Sequence, residues 1–359
     1  MFCENRAGIE LNRISKKLSI NKLAPLSIGT PVLILGILLS YVWSTQSRES
    51  VVALSSANIE QLHDLATGKI SEILQLPRRI SLVNKSLIES GSLDPGDLPS
   101  WRSIITSQFY AFDDLSAIVW GASDGRALWI GRYGDGKTYW AIKNDPATQT
   151  MLEWQLDQEG NVLEENQSTF DYNLFVRPWF VGPKEAGAPA WSGPYVWAGG
   201  EDSSGVTIGL SFGIPIYNED KSLKGVIDAD FSLNDLSEFL ASIQVGKSGV
   251  AILATGEGTL LATSSSSLKI VDSKDKKIEL VSMKESSIPI FSRINDFVSR
   301  QSSRKNKAIS PDSIQPANFR ESSWFGSIEV DSERNFIAVS PVGQDLGLDW
   351  QLITLIPES

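Results

Sequence analysis

The chain has 359 residues, enough for two moderate cores, and its 42% hydrophobic and 21% charged content is that of a globular protein. A net charge of −11 argues against phosphate-backbone binding, which needs clustered lysine and arginine, so no nucleic-acid partner is expected. A single cysteine, Cys3, rules out an intrachain disulfide, and a single histidine, His63, leaves little material for Ser-His-Asp, Cys-His or zinc chemistry.

Residues 1–22 carry Arg6, Arg13, Lys16, Lys17 and Lys22, and Leu23 to Gln46 contains no charged residue. Twenty-four uncharged positions reach about 36 Å as a helix, enough to span a hydrocarbon core of about 30 Å. Tyr41 and Trp43 stand where interfacial aromatics belong. The expectation is a transmembrane helix over 23–46, with a cytoplasmic tail over 1–22 and residues 47–359 outside the plasma membrane. A cleaved signal peptide would need a small-x-small site, which Tyr41-Val-Trp-Ser-Thr does not supply. Pro25 and Pro31 start or kink the helix, which membrane helices tolerate.

Residues 47–99 read as a long helical stalk. Val52, Ile59, Leu62, Leu65, Ile70, Ile73, Leu74 and Leu76 recur at helical spacings, and Pro77 is expected to kink or interrupt the run. The apolar stripe can pack on its own domain, on a second copy in a homodimer, or on both. His63 is read as a solvated residue of this helix. The segment Asp94-Pro-Gly-Asp-Leu-Pro99 ends it.

A short helix over Trp101 to Phe109 follows, and then the period changes to strands. Asp-Gly pairs at 124 and 135 mark tight hairpins, a strand pair surrounds Asp157-Gln-Glu-Gly160, and further strands run over Val206 to Tyr217 and Lys224 to Phe231. Ser232 caps a helix whose apolar face is Leu233, Leu236, Phe239 and Leu240. Gly246 to Gly249 ends it. A smaller sheet begins with Val250 to Ala254 and Thr259 to Thr263, and Ser264 to Lys277 reads as a loop. Ile288 to Gln301 reads as a helix, Ser302 to Ser323 as a mobile polar segment, and Trp324 to Val339 and Trp350 to Ile356 as closing strands. Pro215 and Pro341 follow strands in the two halves. This weak echo suggests two related α+β units in series, over 100–235 and 236–359.

The densest chemistry lies in Phe170-Asp-Tyr-Asn-Leu-Phe-Val-Arg-Pro-Trp-Phe180, Trp191-Ser-Gly-Pro-Tyr-Val-Trp197 and Gly225-Val-Ile-Asp-Ala-Asp-Phe-Ser-Leu233. An arginine among aromatics offers a two-pronged carboxylate site. A tyrosine hydroxyl can share that carboxylate, and a strand aspartate can hold an amine. Together these groups suit a small zwitterion. An arginine among aromatics is also a common structural group, ion-paired inside a core.

These blocks, with Gly246-Lys-Ser-Gly249 and the closing Leu348-Asp-Trp-Gln-Leu-Ile-Thr-Leu-Ile-Pro-Glu358, resemble the double Cache sensor domain of bacterial transmembrane receptors over about residues 48–359. The resemblance implies two tandem PAS-like units with antiparallel sheets, a membrane-distal one that binds ligand and a membrane-proximal one that passes the signal on. It implies no cofactor and no catalytic module. It also implies a cytoplasmic output module, supplied by a partner or by sequence beyond Ser359. One branch of that family recognises amino acids, and its motif is matched by Tyr172, Arg177, Trp179, Tyr195 and Asp230, with Asp228 an alternative on the same strand face. Phe180 stands where the motif has a tyrosine, which removes a hydroxyl. The resemblance thus implies a ligand-binding set of Tyr172, Arg177, Trp179, Phe180, Tyr195, Asp230 and Asp228. The alternatives are a ligand-free structural or dimerising ectodomain and a membrane-anchored hydrolase. The hydrolase lacks any Gly-x-Ser-x-Gly, His-Glu-x-x-His or P-loop pattern.

Overall fold

The computed structural model describes residues 20–199, 207–243, 245, 249–274, 277–304, 323–330 and 333–358. The basic residues of 1–19, most of Gly246–Gly249 and most of the polar segment Ser302–Ser323 lie outside the described residues. The chain divides into two compact units between Ala57 and Asn58. In the first, Leu33, Ile34, Leu35, Ile37, Leu38, Leu39 and Tyr41 are all exposed on helix α1 (Ile20–Glu89), which runs through Pro77 without interruption. Among the described residues, no helix is long and apolar enough to cross a membrane.

The second unit is mixed α+β with two antiparallel sheets. After a 3-10 turn at Leu98–Trp101 and helix α2 (Arg102–Tyr110) come β1 (Ala117–Ala122), β2 (Ala127–Arg132), β3 (Thr138–Lys143), β4 (Thr150–Leu156) and β5 (Val162–Asp171). Helix α3 (Pro178–Ala186) precedes β6 (Ala190–Val196), β7 (Ile208–Tyr217) and β8 (Leu223–Ser232). These strands form one eight-stranded sheet in the order β5-β4-β3-β2-β1-β8-β7-β6. Its hairpins follow from the Asp-Gly pairs: Gly125 and Gly136 take φ of +96° and +77°, and Asp124 and Asp135 accept the backbone NH two residues on.

Ser232 caps α4 (Leu233–Ser242), its side chain accepting the Asp235 NH at 2.9 Å. Next come β9 (Val250–Thr255), β10 (Leu260–Thr263), β11 (Val271–Lys274), β12 (Lys277–Leu280), α5 (Pro289–Arg304), β13 (Trp324–Val330), β14 (Glu333–Val342) and β15 (Trp350–Pro357). The second sheet has the order β10-β9-β15-β14-β13, and β11 and β12 pair separately. Two sequence expectations are corrected here. The stretch 264–277, expected as a loop, contains β11 and the first residue of β12, its hairpin partner, and its serine and lysine content hid the alternation. The stretch 324–339, expected as one strand, contains a hairpin of two, β13 and β14. Pro215 and Pro341 lie inside β7 and β14, each two positions beyond the last residue paired with the shorter neighbour (Gly213 with β6, Val339 with β13), where a missing NH breaks fewer ladder bonds.

Helix α1 serves both sheets. Ala66, Ile70, Ile73 and Leu74 belong to the core beside the five-stranded sheet, and Ile80 and Ile88 to the core beneath the eight-stranded one. Ser81 donates to the Phe212 carbonyl of β7 at 3.0 Å.

His63, expected in solvent, is fully buried. It shares the stripe of Ala66, Ile70 and Ile73, so the helical period carries it inward. Its Nδ1 lies 3.1 Å from Thr354 Oγ1 and its Nε2 2.7 Å from Ser340 Oγ, two hydroxyls that can each donate or accept. Burial lowers its pKa to about 4, so it is neutral at pH 7. The unfolded chain therefore holds a proton that the folded one does not between about pH 4 and 6.5, and this contribution to stability is lost as pH falls through that window. His63→Ala is expected to lower the unfolding free energy at pH 7 by about 2–4 kcal/mol, through a cavity and the loss of a partner for the buried Thr354 hydroxyl. Urea unfolding of both proteins at pH 7.5 and 5 checks it: the gap should narrow at pH 5.

Candidate ligand-binding site

The eight-stranded sheet has two buried faces, because side chains alternate along each strand. Ile118, Trp120, Ile227 and Ala229 face the core that includes Ile80 and Ile88 of α1. Ala117 and Val119 of β1 and Trp129 of β2 face the other way, among Tyr172, Trp179 and Tyr195. Asp228 and Asp230 share that second face, opposite Val119 and Ala117. Helix α3 lies over it. Pro178 opens this helix and Arg177 is its extended N-cap. Close approach requires glycines in the sheet: a Cβ at Gly121 would strike Trp179, and one at Gly209 would overlap the Trp197 indole.

A cavity of about 30 Å³ remains on this face, with Tyr172, Arg177, Trp179, Tyr195 and Asp230 in its wall. That is room for one or two water molecules. Five of the seven sequence candidates thus converge. Phe180 and Asp228 do not line the cavity. Phe180 is fully buried, edge-on to Trp179 and packed over Gly121. Asp228 lies beneath α3, where its carboxylate abuts the position of a Cβ on Gly213. The remaining wall (Ala117, Val119, Trp129, Tyr133, Trp197 and Ala198) was not singled out from the sequence. Period-two spacing from Trp129 through Gly131 to Tyr133 was the one available signal.

The guanidinium of Arg177 sits between two rings, with Cζ 5.9 Å from the centre of Tyr172 and 5.7 Å from that of Tyr195. One terminal nitrogen donates to the Val196 carbonyl at 2.5 Å. Among the described residues Arg177 makes no ion pair, and its Nε is buried without a hydrogen-bond partner, as is the indole NH of Trp197. Asp230 is held by Tyr195, whose hydroxyl lies 3.2 and 3.1 Å from the two carboxylate oxygens. Burial raises the Asp230 pKa to about 7, against hydrogen bonding and the charge of Arg177, which lower it. Asp228 is fully buried, and neither of its oxygens lies within hydrogen-bonding geometry of a partner. Burial first, then neighbouring Asp230, push its pKa well up. Burial likewise raises Tyr172 and Tyr195, so both stay neutral donors and acceptors.

No protein-family model and no curated protein matches the chain. Solved structures do. The extracellular domain of soHK1S-Z6, assigned provisionally as a histidine kinase, matches with a TM-score of 0.51 at 13% identity, over 87% of this chain and 97% of that one. The corresponding domain of mmHK1S-Z2 gives 0.50 at 13%, over 85% and 98%. The ligand-binding domain of the Pseudomonas fluorescens chemoreceptor CtaA, solved with L-isoleucine, gives 0.49 at 15%, over 87% and 95%. At such identity the likeness is one of fold: the chain shares with those extracellular domains a mixed α+β fold with two antiparallel sheets.

Proposed function

We propose that this fold is the double Cache extracytoplasmic sensor domain of a membrane-anchored receptor, and that the cavity under α3 binds a small amino acid or a related amine or carboxylate. The observation that carries the reading is the state of Arg177. A purely structural arginine in an aromatic core would be paired with internal carboxylates. Here it faces a cavity with no ion pair among the described residues and an unused buried NH. A ligand carboxylate would take that NH and a terminal one together. An ammonium would sit on Asp230, across the cavity. Tyr172, Trp179 and Tyr195 would exclude water and strengthen both contacts.

The cavity is smaller than any amino acid, so binding must move its wall. Arg177, Trp197 and Ala198 are its partly exposed members, and Tyr172, Trp179 and Asp230 are buried. Movement of β7 is the route for a signal. Ser211 of β7 pairs with Asp230 in the sheet, and the next residue, Phe212, accepts from Ser81 of α1. The ligand shifts this arrangement by its differential affinity for the two states. The exposed apolar side chains between Leu33 and Tyr41 surround the helix, which suits lipid, and the basic residues before them favour a cytoplasmic N-terminus. The domain acts without catalysis of its own and pairs with a second copy along α1, where Leu65, Leu82 and Val83 are exposed.

The test is the thermal midpoint of residues 58–359 against α-amino acids, amines and small carboxylates. At a hundredfold excess over the dissociation constant a ligand adds about 2.7 kcal/mol, which moves the midpoint by several degrees. An unchanged midpoint across the panel overturns the reading in favour of a ligand-free structural domain.

A further inference from the structure

We infer that the wall of the cavity away from Asp230 selects ligands whose side chain ends in a hydrogen-bond donor, with Tyr133 as the acceptor and Glu153 as the positioning residue behind it. This rests on the proposed amino-acid reading and says which amino acids the site prefers.

The cavity lies over β8, β1 and β2, whose Asp230, Ala117, Val119 and Trp129 line it. Asp230 stands on β8, and Glu153 on β4, four strands away in the order β4-β3-β2-β1-β8. Tyr133, just past β2, lines the cavity on that flank. Both Tyr133 and Glu153 are buried, 4% and 1% exposed. A carboxylate is seldom placed so deep without a task, since burying charge is costly unless hydrogen bonds satisfy it.

The hydrogen bonds fix what Tyr133 can still offer. Its hydroxyl donates to Glu153 Oε1 at 2.6 Å and accepts from the Trp129 indole NH at 2.8 Å. Glu153 Oε2 accepts from Ser168 at 3.2 Å, so the carboxylate acts as an acceptor on both oxygens. The single hydrogen of Tyr133 is used, and what remains is acceptor capacity. Donation to a carboxylate makes the phenol oxygen a stronger acceptor. The backbone seals the pair: Gly199, at φ +91°, leaves no room for a Cβ beside Glu153 Oε1 and the Tyr133 hydroxyl.

A ligand reaching this flank therefore meets a one-sided code. An amide, hydroxyl or ammonium hydrogen finds an acceptor. A carboxylate finds an acceptor oxygen with Glu153 behind it, and is repelled. An aliphatic side chain leaves the oxygen as it was. A site built to hydrogen-bond discriminates strongly against an isostere that cannot reciprocate.

Asparagine and aspartate are the matched probes, equal in size and differing in donor against anion, with alanine as the reference that does not reach the flank. Isothermal titration of residues 58–359 is expected to show asparagine binding at least about 100-fold more tightly than aspartate. Tyr133→Phe should bring that ratio to within about threefold. Glu153→Gln should do the same by admitting aspartate, and it serves should the first variant fold poorly. A wild-type ratio within threefold, or a ratio that survives both substitutions, overturns the inference. If alanine binds in an Arg177-dependent way while the ratio fails, only this inference falls. If no amino acid binds at all, the proposed function falls with it.

Discussion

Arg177→Met is expected to weaken binding of an α-amino acid by about two to three orders of magnitude and to leave the fold intact. Truncating one side of a desolvated, hydrogen-bonded charge pair costs about 2–5 kcal/mol, and this arginine would supply both prongs. The unliganded protein loses little, because among the described residues the side chain makes one hydrogen bond, to the Val196 carbonyl, and no ion pair. Methionine keeps most of the length and stays apolar between the Tyr172 and Tyr195 rings. Arg177→Lys separates charge from geometry. Lysine restores a positive charge but not the planar fork, so about a tenfold or larger loss should remain. The measurement is the dissociation constant of each variant by titration calorimetry, with the unliganded thermal midpoint as the control for folding. A midpoint that drops sharply in Arg177→Met would mean that the side chain is structural. Unaltered affinity in a well-folded variant would remove Arg177 from the site altogether.

The family resemblance pointed to the residues of this site, and it needed no long-range pairing where they stand close together in the chain. Tyr172, Arg177 and Trp179 lie on one short connection into α3, so their convergence needs only local geometry. Ser232 capped its helix as its side chain dictates, and the Asp-Gly pairs closed their hairpins. What the sequence hid depends on pairing across distance. Asp228 and Asp230 are equivalent by strand alternation, and only the position of α3 over Gly213 separates one from the other. Phe180 shows the same limit. Trp179 beside it lines the cavity, yet the turn of α3 points Phe180 at Gly121. Tyr133, just past β2, and Glu153, on β4, lie in ordinary sequence, and the ladder β2-β3-β4 brings them together. His63 was misread for a different reason. Polarity was weighed over period, although the hydroxyls that satisfy it come from β14 and β15, far away in the chain.

Ligand affinity should also depend on pH, through Asp230. Its folded pKa of about 7 lies above the ordinary carboxylate value near 4, because burial disfavours the charged form. The groups facing it are Tyr195 from β6, Arg177 from the start of α3, Tyr172, and Asp228 on its own strand. Arg177 and the hydroxyl of Tyr195 favour ionisation, but burial outweighs them. In the unliganded protein the sign is the reverse of the usual carboxylate. Between about pH 4 and 7 the folded state holds a proton that the unfolded state has lost, so stability from this group is present at low pH and lost as pH rises through 7. His63 contributes with the opposite sign between about 4 and 6.5, so the stability of the whole domain does not isolate Asp230. Ligand binding does. An ammonium pairs with the ionised carboxylate, so binding below pH 7 must expel the proton. Affinity for an α-amino acid should then fall by up to about tenfold for each unit of pH below 7, and level off above it. Titration calorimetry at pH 5.5, 6.5 and 7.5 in two buffers of different ionisation enthalpy measures both consequences, with close to one proton released at pH 5.5 and little at 7.5. Asp230→Asn should bind weakly, by about two orders of magnitude, and lose the slope, since it has no proton to expel. A flat profile with no proton release in the wild type would mean that Asp230 is already ionised in the empty cavity. The ammonium would then be gaining a preformed charge, with burial too weak to neutralise it.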